Sequence, residues 1–316
     1  MLIPEAFGYR SEVEHKHFID EGNTRMEVWS PAVNIALFGL LGLLVGSFLN
    51  VVIHRVPKML EAEWAANCAE LAGQESVSSE SFNLMRPPSR CPSCQTPIRW
   101  YQNIPVLSYV ALRGKCGQCK APISLRYPII ELFTAFVFAA IAHQQGLAPA
   151  SLVWSAFACL LIAQFFIDFD TQLLPDDLNY LILWLGLIAS AIGWTTVPLA
   201  SAVWGAVFGY LSLWTVFQVH YRLTGKQGMG HGDFKLLAGL GAWFGSEYLV
   251  ALILLSSVVG SLIGGTLLVL GRLANRDIPI PFGPFLAGAG MVALLCGPGR
   301  LESLIPFAFP FSHLVR

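Results

Sequence analysis

From Tyr127 to Tyr221 the chain contains no Lys or Arg. A soluble domain usually carries about 25 % charged residues to keep its surface in water. Here charged residues are 12 % of the chain and hydrophobic ones 55 %, with a mean hydropathy of +0.60. This composition excludes most cytosolic enzymes, disordered chains and coiled coils. It indicates an all-α polytopic membrane protein. The 19 basic and 20 acidic residues leave a net charge of −1, without the basic excess of a nucleic-acid binder.

Apolar runs cover residues 32–53, 128–142, 151–167, 178–194, 198–219, 236–244, 248–270 and 284–296. They predict about eight transmembrane helices, the sixth and eighth being short. Residues 1–31 lack the basic start and cleavage site of a signal peptide. The expected organisation is an extracytoplasmic tail (1–31), a first helix with a polar region (32–127), a helical membrane domain (128–298) and a C-terminal tail (299–316).

The segment from Arg55 to Arg126 holds nine of the 19 basic residues. Basic residues near span ends stay in the cytoplasm, so this segment is expected inside and the N-terminus outside. Alternation then puts the loops 168–177, 220–235 and 271–280 on the cytoplasmic face. The opposite connections, 143–150, 195–197 and 245–247, carry no Lys or Arg.

The polar segment contains Cys91-Pro-Ser-Cys94 and, after 21 intervening residues, Cys116-Gly-Gln-Cys119. Two such knuckles can supply four thiolates to one tetrahedral zinc. A closed four-thiolate site has no open position for substrate, so the metal would be structural. Two independent redox pairs are the alternative, which a reducing compartment disfavours.

A second feature is Asp168-Phe-Asp170-Thr-Gln-Leu-Leu174-Pro-Asp176-Asp177, four carboxylates at a span end without a nearby basic residue. Such groups are costly at a membrane boundary. Asp176 and Asp177 suit the first turn of the next helix. Asp168 continues directly from the span and suits that role less well. Gly228-Met-Gly230-His231-Gly232-Asp233-Phe-Lys235 follows two spans later, so Asp168 and Asp233 share one membrane face. Two carboxylates in reach of each other would share a proton, as in aspartic proteases. The spacing permits that contact without requiring it.

These residues resemble a known family. Gly230-His-Gly232-Asp233 matches the GxGD motif of membrane aspartyl proteases. The stretch 233–245, Asp168 with Leu174-Pro175-Asp176, and the cysteine quartet after the first span are similar to the bacterial type IV prepilin peptidases. So are 46–57, Arg126-Tyr-Pro128-Ile-Ile-Glu131 and Pro281-Phe-Gly283-Pro284-Phe285. The resemblance spans residues 35–297. The long N-terminal tail and an acidic insertion at 60–85 depart from the pattern without touching a motif.

The resemblance implies a bifunctional enzyme of the bacterial inner membrane. It would cleave the basic leader of type IV prepilins, or of type II secretion pseudopilins, at the cytoplasmic face. It would then N-methylate the new terminus with S-adenosylmethionine. Asp168 and Asp233 would be catalytic, with Gly230, Gly232, Lys235, Asp170 and Asp176 in support. No Rossmann-type fingerprint marks a methyl-donor site. Its candidate region holds Gly46, Ser47, Asn50, Arg55 and Glu131, and Glu131 is placed to pair with Arg126 or Arg55. Helix packing by Gly46 and Ser47, and interfacial anchoring by Arg55, are the alternatives. Lys235 either stabilises charge near Asp233 or simply extends into the cytoplasm. Competing functional classes are a transporter with a zinc-stabilised domain, a GxGD protease for other substrates, and a non-catalytic assembly scaffold. The sequence sets no oligomeric state.

Overall fold

The structure, a computed structural model, describes residues 30–73, 82–270 and 281–309. The N-terminal tail up to residue 29, part of the 60–85 insertion, the loop 271–280 and the last residues of the C-terminal tail lie outside the described residues. All eight apolar runs fall on helices. These are α1 (Pro31–Leu71), α3 (Arg126–Gln145), α4 (Pro149–Thr171), α5 (Asp176–Ala191), α6 (Leu199–Thr224), α7 (His231–Phe244), α8 (Leu249–Val269) and α9 (Gly283–Cys296). A short α2 (Leu107–Ala111) lies in the polar segment, and α10 (Pro298–Leu304) follows α9.

Five of these helices are long and apolar enough to cross a membrane: α1, α3, α4, α6 and α8 with its leading turn. At 1.5 Å per residue, a 14-residue helix such as α7 or α9 reaches only about 21 Å, short of a bilayer core of about 30 Å. The expected eight spans are therefore eight apolar helices, of which five meet the length of a full span. Helix α7 is apolar because protein encloses it. Every residue from Leu236 to Phe244 is buried. Its Trp243 stacks on Phe157 of α4 (4.3 Å between ring centroids) and donates its indole N–H to the Ile182 carbonyl of α5 (2.8 Å).

Small residues let the helices approach. Gly42 and Gly46 of α1 sit against the backbone of Ala135 and Glu131 of α3, where an added Cβ would fall 2.7 and 2.8 Å from their Cα atoms. Gly205 of α6 packs on the Gly241 carbonyl of α7. Close backbone contact of this kind is how helices associate without a hydrophobic driving force in lipid. Helix α1 continues through Pro57 into the 60–85 segment and ends at Leu71, a single 41-residue helix.

The helices run alternately, so the molecule has two ends. At one end Arg126 of α3 meets Asp170 of α4, and Lys235 of α7 meets Asp176 of α5. At the other, Gln144 donates to the Leu295 carbonyl (3.1 Å), and Ser190 to the Val197 carbonyl (2.7 Å).

Candidate active site and metal centre

The two cysteine knuckles are copies of one turn. In each, the residue before the first Cys bridges to the residue three past the second: Arg90 with Pro97, and Lys115 with Pro122. The first Cys N–H bonds the carbonyl five residues on (Cys91 to Thr96, 3.0 Å; Cys116 to Ala121, 2.8 Å). The residue after each second Cys turns through positive φ, Gln95 at 57° and Lys120 at 61°. All four sulfurs lie within 4.8 Å of one another, and none forms a disulfide. Cys91 Sγ is 3.8 Å from Cys119 Sγ. A tetrahedral ion with bonds of about 2.3 Å places its sulfurs about 3.8 Å apart, so the quartet fits zinc. Thiolates are the ligand form. The Thr96 hydroxyl, 3.3 Å from Cys94 Sγ, holds that thiol down to about 6.

The acidic segment separates into two kinds of carboxylate. Asp170 pairs with Arg126 (2.7 Å), whose guanidinium also lies over the Phe166 ring. Asp176 accepts from Lys235 at 2.6 and 2.7 Å, and Lys235 lies over the Tyr180 ring. Asp177 is exposed in the first turn of α5. Asp168 and Asp233 differ from all of these. They are 4 % and 6 % exposed, and Asp168 Oδ2 and Asp233 Oδ1 are buried without a hydrogen-bond partner among the described residues. The two carboxyl groups act on each other electrostatically. Lys235 therefore spends its charge on Asp176.

Helix ends bring the pair together. Asp168 sits in the last turn of α4 and accepts the N–H of Gly283, the first residue of α9. A Cβ on Gly283 would fall 2.5 Å from Asp168 Oδ2. Asp233 occupies the first turn of α7, the helix end that favours negative charge, and accepts a backbone N–H from Gly230. Leu174 wedges between Gly232 and Gly283, where added Cβ atoms would meet it at 2.6 and 2.9 Å. His231 packs beside Phe217 and Phe234, so it serves the turn.

Gly283 and Leu174 lie in the quoted motifs but outside the site residues singled out from them. A further pair lies outside every quoted motif. Gln164 of α4 donates to Asn179 Oδ1 of α5 (2.7 Å), and Asn179 reaches the Gly232 carbonyl (3.5 Å). Both side chains are fully enclosed. They tie the GxGD turn to the helix that carries Asp168. The signal available beforehand was a lone Gln one turn before Asp168 on an apolar span.

The residues expected near a methyl donor lie along a seam between α1, α3 and the cysteine block. Gly46 packs on Glu131 and Thr134. Asn50 donates to the carbonyls of Gly46 (3.2 Å) and Tyr127 (3.3 Å). Arg55 is buried, donates to the carbonyls of Asn83 (2.8 Å) and Pro87 (2.6 Å), and lies over Phe82. Glu131 pairs with neither Arg126 nor Arg55. Its carboxylate accepts the Val106 N–H (2.7 Å) and is hydrogen-bonded to Ser47. Val106 has φ 58°, a conformation β-branched residues seldom adopt.

Residues 40–145 match the family model of the bacterial peptidase A24 N-terminal domain, and residues 155–265 that of the type IV leader peptidase family. The chain is 51 % identical over 275 residues to the prepilin leader peptidase/N-methyltransferase of Pseudomonas aeruginosa, covering 85 % of this chain and 92 % of that protein. It belongs to the prepilin leader peptidase/N-methyltransferase family. Family members of the same name from Aeromonas hydrophila and Neisseria gonorrhoeae are 48 % and 47 % identical, each over 84 % of this chain and 92 % of the relative. No solved structure matches the chain.

Proposed function

We propose that this chain removes the leader from type IV prepilins, and from related pseudopilins, with Asp168 and Asp233. It then methylates the new N-terminus with S-adenosylmethionine as donor. The observation that carries the peptidase assignment is the buried, unpartnered oxygen on each of these two carboxyls, while Asp170 and Asp176 hold cations. In the reaction one carboxylate takes a proton from the attacking water. Its protonated partner donates to the scissile carbonyl. Water adds across the peptide bond, so the leader departs as a carboxylic acid and the mature chain begins with a free amine. Gly283 and Gly230 hold the two carboxyls by their N–H groups. Leu174 and the Gln164–Asn179 pair fix the turn between them.

In this reading the enzyme is a multi-pass protein of the bacterial inner membrane, with the site and the cysteine block on the cytoplasmic face. The basic residues of that block support this orientation. Residues 32–127 form the methyl-transfer and zinc region, and 128–298 the peptidase. Cys91, Cys94, Cys116 and Cys119 would hold a structural zinc that fastens both knuckles. Gly46, Ser47, Asn50, Arg55 and Glu131 serve methyl transfer indirectly. Their polar groups are engaged in holding the block to α1 and α3, so no step is assigned to them.

The test is mass spectrometry of a purified prepilin incubated with enzyme and S-adenosylmethionine. Loss of the leader plus the mass of one methyl group is expected. An intact precursor, with enzyme that is folded and metal-loaded, would overturn the reading.

A further inference from the structure

The cysteine block has an apolar side that its own fold leaves uncovered. Trp100 is 82 % exposed, Leu107 69 % and Val110 67 %. Trp100 belongs to the turn Trp100–Asn103, which packs against α2. Leu107 and Val110, three apart on α2, share one helix face. Tyr101 stands edge-on to Trp100, and its hydroxyl accepts from Arg99 (2.9 Å). Soluble surfaces seldom gather so many large apolar side chains on one small unit.

The depth of this patch is fixed by one hydrogen bond. The Val106 N–H, at the start of α2, reaches the Glu131 carboxylate of α3. Glu131 lies five residues beyond Arg126, about 7–8 Å along a spanning helix. Helix α2 is thus level with the second turn of α3. There the outward residues of α3 are Ile129, Leu132 and Phe136, a lipid-facing stripe that Leu125 extends toward the block. The block thus meets α3 at the level where α3 carries this stripe.

Charge points the same way. From Phe82 to Arg126 there is no Asp or Glu, whereas Arg86, Arg90, Arg99, Arg113, Lys115 and Lys120 are all exposed. Aromatic and aliphatic side chains at headgroup depth beside basic residues make an interfacial membrane contact. Anionic headgroups are the complementary partner.

We propose that residues 98–112 form an interfacial anchor that seats the cysteine block on the bilayer surface, with anionic lipid headgroups bound by Arg99 and Arg113. The proposal rests on the membrane reading of α1 and α3. It does not rest on the catalytic assignment, and its test needs no substrate.

The full-length protein is placed in nanodiscs of phosphatidylcholine containing lipids brominated near the headgroup. The emission difference between the native protein and Trp100→Phe isolates Trp100. Loss of most of that difference on bromination is expected; no loss would overturn the anchor. Amide exchange of residues 98–112 is then compared in phosphatidylcholine and in mixed phosphatidylcholine–phosphatidylglycerol discs. Several-fold slower exchange with the anionic lipid is expected, and Arg99→Glu with Arg113→Glu should abolish the difference. Equal exchange in both lipids would overturn the anionic partner. Protection that arises only when a prepilin is added would overturn lipid as the occupant and make the patch a substrate surface.

Discussion

The four cysteines lie in two copies of one short turn, whereas Asp168 and Asp233 come from helix ends that meet only once the bundle has packed. In the cysteine block each donor is placed by hydrogen bonds within a few residues, and the second knuckle repeats the first. In the carboxylate pair the positions depend on Gly283, Leu174 and the Gln164–Asn179 bond, contributed by distant parts of the chain. The block can complete itself around a metal ion. The pair retains buried oxygens that no group among the described residues completes. A site that closes on itself stabilises structure. A site left open in a desolvated setting is poised for chemistry.

The largest effect is expected at the pair. Asp233→Asn should lower prepilin cleavage by about 10³-fold or more, with the protein still membrane-inserted and of native helicity by circular dichroism. Cleavage near the native rate would remove the distinction between the two regions. Gly283→Ala should follow, because its Cβ would meet Asp168 Oδ2. A displaced carboxyl costs about a hundredfold in turnover when alignment slips by an ångström, read as a fall in kcat with little change in KM.

Cys94→Ser with Cys119→Ser should release the metal, measured by elemental analysis. It should damage methylation and the thermal stability of the block more than leader cleavage. Equal damage to both activities would show that the block also positions the pair. The smallest effect belongs to Lys235→Met. The Lys235–Asp176 bridge is partly exposed, so its loss should cost about 1 kcal/mol or less in unfolding free energy. A loss of cleavage comparable to Asp233→Asn would instead place Lys235 in the reaction.

These two regions were also unequally legible in the sequence. Cys-x-x-Cys spacing is local, so the gathering of the four sulfurs could be read directly. The apolar runs likewise located all eight helices. Their lengths were less informative, since α7 is apolar through enclosure by protein rather than by lipid. The polar stretch after Ile53 concealed the continuation of α1 to Leu71, because its charged residues lack an apolar stripe. The motifs marked Asp168 and Asp233. They could not separate Asp168 from Asp170 and Asp176 by environment, because the deciding cations stand 44 and 59 residues away. Glu131 was legible as an acid just inside the second apolar run, within reach of Arg126 or Arg55. Its partner, a backbone N–H at Val106, was not, since side-chain chemistry alone does not reveal which amides a fold leaves unpaired.

One segment holds the carboxylate proposed to react, Asp168, and two that are occupied by cations, Asp170 and Asp176. Leader cleavage measured side by side for Asp168→Asn, Asp170→Asn and Asp176→Asn separates them. Asp168→Asn should not cleave, whereas Asp170→Asn and Asp176→Asn should retain cleavage. Cleavage by Asp168→Asn together with its loss in Asp170→Asn would reverse the assignment.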